Sequence, residues 1–276
     1  MRGSSFHAEL VRVLEARRRP DGGFAVGAGG SSELEPTAIA ALALGGDDRC
    51  RSWLEARQSA DGGFVEANGR SEGPTGAAFA ALALEGDAAR RAVDYAVAHR
   101  GLPPPDASDQ SRRGWGWTAD ARSFVEPTCR VLIAARRVPP TEAGVRGEAV
   151  AVLAQRQCTD GGWNHGIIIV LDEQLPGYVQ TTALALVALY GEAQPFVRSG
   201  LDFLRRSWST EPGGLTTAQV AVAFQLHGLR EDAKRAVAAL ETIARRRSFL
   251  GRTVGLAWAA LATGSDDLLQ PLRGRG

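Results

Sequence analysis

The sequence is poor in cysteine and aromatic residues and has no long apolar run. Its 276 residues include 3 cysteines, and aromatic residues make up 7% of the chain. An odd number of cysteines without paired spacing argues against a disulfide framework. No segment approaches the roughly 20 apolar residues that a membrane-spanning helix needs, and the first residues do not resemble a signal peptide. We therefore expect a cytoplasmic protein without a transmembrane segment.

Charge and motif content exclude further classes. With 32 basic and 31 acidic residues the formal net charge is +1, which gives no basic field for a nucleic-acid partner. Phosphate-binding loops, nucleophile elbows and aspartate-rich magnesium motifs are absent. Cys158 and Asp160 are not matched by a second pair of zinc ligands. The sequence predicts no metal and no cofactor.

Repeats organise the chain. Residues 14–24, 54–64 and 153–163 each begin with Leu and end in Asp-Gly-Gly followed by Phe or Trp, at constant offsets. An amphipathic stretch precedes each copy, and glycine tolerates the left-handed conformation that ends a helix. Spaced repeats of this kind are typical of stacked or ring-shaped architectures.

A second, more apolar helix is predicted after each loop. Six such segments are rich in Ala and Leu and poor in charge: residues 35–44, 73–82, 126–132, 180–189, 215–224 and 252–261. Such helices are expected to be buried on most sides, whereas the helices between them carry Arg and Glu on one face. The alternation predicts an all-α fold, a single α/α toroid domain over residues 1–276 with about six inner and six outer helices. An open solenoid is the alternative.

A glutamine-containing helix end followed by Asp-Gly-Gly and an aromatic residue resembles the repeats of squalene and hopene cyclases and of protein prenyltransferase β subunits. Gln58 to Phe64 and Gln157 to Trp163 carry this resemblance. It implies a single-toroid member of that superfamily. Because one toroid hosts several chemistries, the resemblance does not fix a reaction.

Two glutamates are the candidate catalytic acids that the resemblance implies. Glu35 falls in register with the central acid of the aspartate-rich cyclase motif, although Pro36 replaces the next aspartate. Glu126 occupies the same place in the third repeat. The alternative is that each carboxylate caps its helix or interacts with the helix dipole.

The loops after the Asp-Gly-Gly turns are expected to converge at one end of the ring, over residues 24–35, 64–73, 115–126 and 163–179. Small residues in the inner helices suggest an apolar cavity at the ring centre. Aromatic faces can stabilise cations, but in repeats they also serve packing, and a lone histidine is often a packed loop residue. The candidate substrate-binding residues are Trp115, Trp117, Trp163, His165, Asp172 and Tyr178.

The resulting hypothesis is a terpene cyclase-like enzyme, an isomerase or lyase, that starts metal-independent cyclisation of an isoprenoid by protonation. The alternative is a non-catalytic toroid that binds a lipid, a prenylated ligand or a peptide, and a purely structural module is the third possibility. Cyclases of this class resemble two toroids that share an active site. A protein partner or a second copy is therefore expected as well.

Overall fold

A computed structural model describes residues 5–65, 73–103, 113–118, 120–210, 212–246 and 252–274. Within these residues the chain forms thirteen α-helices and one short β-hairpin. Six helices are outer ones: α1 (Ser5–Glu15), α3 (Asp48–Glu55), α5 (Gly86–Ala98), α7 (Val145–Gln155), α9 (Pro195–Ser207) and α11 (Arg230–Arg246). Six are inner ones: α2 (Leu34–Ala43), α4 (Pro74–Ala83), α6 (Val125–Arg137), α8 (Val179–Ala188), α10 (Gly214–Leu226) and α12 (Thr253–Thr263).

The inner helices form a closed ring. Each packs against the next in chain order, and α12 returns to pack against α2 and α1. Two hydrogen bonds join the last inner helix to the first loop: the Thr253 N–H donates to Val26 O at 2.8 Å, and Thr253 Oγ1 donates to Ala25 O at 2.5 Å. The predicted α/α toroid is confirmed, and the closed ring excludes the open solenoid.

Burial separates the two helix types. All ten residues of α4 are buried, because neighbouring inner helices and outer helices cover it on every side. In α9 only one stripe is buried, formed by Val197, Gly200, Phe203 and Leu204. This stripe faces the ring and leaves the charged residues in solvent, as expected for an amphipathic outer helix.

The Asp-Gly-Gly turns follow the outer helices α1, α3 and α7 and pack against the next outer helix. The glycines do not end these helices as predicted, because the helices already end at Glu15, Glu55 and Gln155. The first glycines, Gly22, Gly62 and Gly161, have φ values of 92°, 93° and 91°. In each turn the aspartate accepts a hydrogen bond from the second glycine, at 2.9–3.1 Å. A Cβ at Gly62 would lie 2.1 Å from the carbonyl oxygen of Arg91 in α5. Glycine is therefore required both by the left-handed backbone and by the close approach of the next outer helix.

The aromatic residues after these turns lie inside the repeats. The backbone N–H groups of Phe24 and Trp163 donate to the hydroxyls of Thr37 and Thr182, at 2.9 and 2.8 Å. The same bond links Trp115 to Thr128 at 3.2 Å. The threonine near the start of an inner helix thus fixes the loop that precedes it.

Short elements complete the ring. A hairpin pairs Ile169–Val170 (β1) with Glu173–Gln174 (β2) in the fourth loop. At the opposite end of the ring, α13 (Gln270–Arg273) packs on α6, and the Arg136 guanidinium donates to carbonyl oxygens of α8 and of Leu272. All three cysteines are buried and free. Among the described helices, none combines the length and apolarity needed to cross a bilayer.

Candidate functional site

The starts of the inner helices and the loops before them meet at one end of the ring. We call this end the ring mouth, formed by residues 24–33, 113–118 and 163–178. The Val125 N–H donates to His165 O at 3.0 Å, which joins the third and fourth loops. Gly73 lies against the carbonyl group of Trp117, which joins the second and third. Residues 66–72 of the predicted second loop lie outside the described residues.

Glu126 is the centre of the first side-chain cluster. It lies in the first turn of α6 with its side chain 16% exposed. His165 Nδ1 donates to Glu126 Oε1 at 2.8 Å, and Thr181 Oγ1 lies 3.5 Å from the same oxygen. The His165 ring also packs edge-on against Tyr178, with 5.3 Å between ring centroids. The structure thus brings three predicted site residues together.

Glu35 belongs to a second cluster. Its two carboxylate oxygens accept hydrogen bonds from the Arg130 guanidinium at 3.0 and 2.8 Å. The same guanidinium lies over the rings of Phe79 and Trp117, at 4.4 and 5.0 Å from their centroids. Arg130 lies one turn after Glu126 on α6, so both clusters belong to one site.

Both oxygens of Glu35 are thus held by one guanidinium in a bidentate pair. Between Glu126 and Arg130 lies Cys129, a possible nucleophile. Burial raises the pKa of the Cys129 thiol well above its ordinary value. A thiol is nucleophilic only when it is ionised, so Cys129 serves packing.

The predicted aromatic residues divide into two groups. Trp115 and Trp163 are fully buried, and their indole N–H groups donate to the carbonyl oxygens of Val97 and Leu153. Their burial makes them packing residues of the repeats. Trp117 and Tyr178 are 42% and 37% exposed at the ring mouth. A ligand there can reach these two rings.

Asp172 lies at the tip of the β1–β2 hairpin. Its backbone is left-handed (φ 64°), as is that of Leu171 before it (φ 50°). Leu171 is 92% exposed, and Ile169 and Val170 are also exposed. The apolar residues of this hairpin are therefore open to solvent.

Several buried polar atoms near the ring mouth have no hydrogen-bond partner among the described residues. They are Glu126 Oε2, Arg130 Nε, Thr217 Oγ1 and Gln219 Oε1. An unpaired buried polar group is unfavourable, and its presence in a native fold calls for an explanation. The set combines acceptors and donors. A ligand that carries hydroxyl groups can pair with both kinds.

The small residues of the inner helices do not open an apolar cavity between them. Ala38, Ala41, Ala77 and Ala183 are 0% exposed, and a wall of an open cavity would retain accessible surface. These alanines allow close contact between helices. We therefore place the candidate site at the ring mouth and not at the ring centre.

Sequence reasoning missed Arg130, Phe79 and Thr181. Arg130 is the one charged residue inside the apolar stretch from Pro127 to Ala135, and that isolation is the signal that identifies it. Its partner Glu35 lies 95 positions away, on a helix that is not adjacent to α6. Across the described part of the chain, no group of three or more His, Cys, Asp or Glu side chains could hold a metal ion.

Comparison with solved structures identifies proteins that share this fold. An α-1,6-mannanase of the GH76A type from Salegentibacter sp. HEL1_6, in complex with α-1,6-mannotriose, matches with a TM-score of 0.62 and 12% identity, over 96% of this chain and 100% of that one. A protein from Actinoplanes matches with a TM-score of 0.57 and 17% identity, over 97% and 98%. At such identities the likeness shows the fold alone. Neither the protein-family profiles nor the curated proteins contain a match to the chain.

These neighbours correct the sequence interpretation. The resemblance to squalene cyclases and prenyltransferases is wrong as a family assignment, because the solved structures with this fold include α-1,6-mannanases. The predicted terpene cyclase activity, its isomerase or lyase class and the lipid-binding alternative are wrong for the same reason. The expected apolar ligand is also wrong, since the neighbours are described in complex with mannotriose and mannotetrose. The repeat pattern predicted the toroid fold but did not indicate which reaction or ligand belongs to it.

This chain contains two pairs of consecutive aspartates, Asp47–Asp48 and Asp266–Asp267. The inactive variants of the neighbour replace two consecutive aspartates. In this chain, Asp47 caps α3 and pairs with Arg18, while Asp48 pairs with Arg51. Asp266 pairs with Arg273. Both consecutive aspartate pairs, 47–48 and 266–267, follow the ends of inner helices and lie at the end of the ring opposite the mouth.

Proposed function

We propose that the protein binds an oligosaccharide at the ring mouth and hydrolyses a glycosidic bond there. The observation that carries the proposal is Glu126, whose Oε1 accepts from His165 while Oε2 has no partner among the described residues. A sugar hydroxyl or the oxygen of a glycosidic bond supplies the missing polar contact. Exposed aromatic rings at Trp117 and Tyr178 offer apolar faces against which sugar rings pack.

The chemistry follows from two carboxylates at one mouth. Glycoside hydrolysis by direct attack of water uses one carboxyl group that donates a proton to the leaving oxygen and a second, ionised one that accepts a proton from the water. Glu126, in contact with His165, has the first role. Glu35, bound by Arg130, has the second. Water bonds to the anomeric carbon and gives a proton to Glu35, the bond from that carbon to the leaving oxygen breaks, and the proton of Glu126 passes to the leaving oxygen.

Oligosaccharide binding without hydrolysis is the second candidate. It is favoured by the positions of the consecutive aspartates, which lie away from the ring mouth in this chain. In that case the ring mouth retains its aromatic faces and polar groups but catalyses no bond cleavage.

The test uses purified protein and a panel of neutral linear oligosaccharides that includes α-1,6-mannotriose. Calorimetry measures binding, and release of reducing ends measures hydrolysis. We expect Glu126→Gln to lower turnover by at least about 100-fold, since it removes a proton-transferring group, while the affinity changes little. Glu55→Gln is the matched control, because Glu55 is exposed at the end of outer helix α3.

Binding of a panel member without release of reducing ends would select the second candidate. If the protein neither binds nor cleaves any panel member, both candidate functions are contradicted.

A further inference from the structure

The inner helices present equivalent positions to the ring axis. Arg130 lies six residues after the N-cap of α6, Phe124, and Phe79 lies six residues after the N-cap of α4, Gly73. These two side chains touch each other. Arg130 also reaches Glu35 on α2, which is not adjacent to α6 in the ring. The sixth position after the N-cap therefore points towards the axis, just below the ring mouth.

In α10 this position is Gln219, six residues after the N-cap Gly213. The corresponding residues of the other helices are Ile39, Leu184 and Trp258. All three are buried and apolar. Gln219 is thus a neutral amide in a layer of large side chains that forms the floor of the ring mouth.

Gln219 is only 5% exposed, and no described residue donates to its Oε1. The Nε of Arg130, in the same layer, also lacks a partner among the described residues. One atom is an acceptor and the other a donor, so a hydroxyl group can pair with either one. Leucine at position 219 would fill similar space without leaving a hydrogen-bond acceptor unpaired.

We propose that Gln219 is a ligand-binding residue whose amide oxygen accepts a hydrogen bond from a hydroxyl group that reaches the floor of the ring mouth. This rests on the proposed oligosaccharide function. It adds that one sugar unit enters the mouth with a hydroxyl directed inwards, below the level of Glu126. It also implies that Gln219 lowers the stability of the free protein, because its amide oxygen accepts a hydrogen bond only when the ligand is bound.

The test compares Gln219→Leu and Gln219→Met with Gln58→Leu. Gln58 lies beyond the end of outer helix α3 and is paired at both amide atoms: its Nε2 donates to Ala88 O at 2.9 Å, and its Oε1 accepts from Arg91 at 2.8 Å. For each variant, the melting temperature of the free protein is measured, along with its affinity for the panel member that binds the wild type best. We expect both Gln219 variants to melt at or above the wild-type temperature and to bind at least about tenfold more weakly. Gln58→Leu should melt lower and bind normally.

Unchanged affinity in both Gln219 variants would overturn the inference even if the oligosaccharide function holds. If the wild type binds no panel member, the proposed function fails. The melting temperatures then test separately whether the amide oxygen of Gln219 is unpaired in the free protein. A temperature at or above that of the wild type then supports an unmet acceptor that serves another hydroxyl-bearing ligand. A fall as large as that of Gln58→Leu shows that Gln219 is bonded within the free protein, which overturns the inference.

Discussion

At the scale of single residues, equivalent positions have different surroundings. Glu35 and Glu126 both lie in the first turn of an inner helix. Glu35 is bound by a guanidinium across the ring, whereas Glu126 contacts a half-exposed histidine and keeps one oxygen unpaired. Two identical side chains thereby have different contacts, one carboxylate held at both oxygens and one with an oxygen unpaired among the described residues.

A residue-scale prediction concerns stability in acid. Burial opposes the charge of Asp47, but the Cys50 N–H and the Arg18 guanidinium outweigh it and lower the Asp47 pKa below its ordinary 3.8. A lowered folded pKa stabilises the protein above the unfolded value, and this stabilisation is lost as pH falls through the folded value. The free energy of unfolding should therefore fall below about pH 4.

In Asp47→Asn this acid-dependent loss should be smaller, and the protein should be about 1–3 kcal/mol less stable at pH 7. Urea denaturation from pH 7 to pH 2 measures both effects. Asp48→Asn is the control, because the Asp48 side chain is 87% exposed and surface ion pairs contribute little. An equally steep acid loss in Asp47→Asn would show that other carboxylates dominate.

At the scale of elements, the Asp-Gly-Gly turn sets the spacing between outer helices. The left-handed first glycine lies in the turn beyond the end of one outer helix, and its missing Cβ lets the next outer helix approach. The motif occurs after α1, α3 and α7. The motif is structural, and it identified the architecture without identifying a reaction.

Gly62→Ala should therefore destabilise the protein by two separate effects, a left-handed alanine and a clash with Arg91 O. Gly30→Ala isolates the first effect, since Gly30 has the same φ of 93° and nothing within 4 Å of its added Cβ. We expect about 1–2 kcal/mol for Gly30→Ala. For Gly62→Ala we expect at least about 3 kcal/mol. Equal losses by chemical denaturation would mean that the clash relaxes freely.

At the scale of the whole molecule, stability depends on closure of the ring. The contact between α12 and the first loop joins residues more than 200 positions apart, through Thr253 and Ala25. A stacked array would leave both ends open, whereas this bond joins the first and last repeats. We therefore expect the ring to unfold in one cooperative transition.

Thr253→Val removes the hydrogen bond to Ala25 while keeping the side-chain shape. The loss should be about 1–2 kcal/mol, because the buried Ala25 carbonyl loses its donor, and the transition should remain single. Thr242→Val is the control, since the Thr242 hydroxyl donates to Ala238 O within its own outer helix. If both variants lose the same amount in urea denaturation, the closing bond contributes no more than a local one.

Several features of the fold could be predicted from the sequence. Repeated Asp-Gly-Gly turns and six Ala- and Leu-rich segments predicted the toroid, because helix ends and burial periodicity are local properties. The same patterns placed Glu126, His165 and Tyr178 near one another, since all three lie at the start of an inner helix or in the loop before it. The spacing of residues within a repeat therefore predicts which loops and helix starts lie at the same end of the ring.

Only the tertiary structure decided how those residues are used. Trp115 and Trp117 are two positions apart, yet one is buried and the other is exposed over Arg130. The pairing of Arg130 with Glu35 depends on ring closure across α4, which no local pattern encodes. The sequence determined which helices form and where the loops gather. The closed ring determined which polar atoms are paired and which have no partner among the described residues, because those contacts join residues distant in the chain.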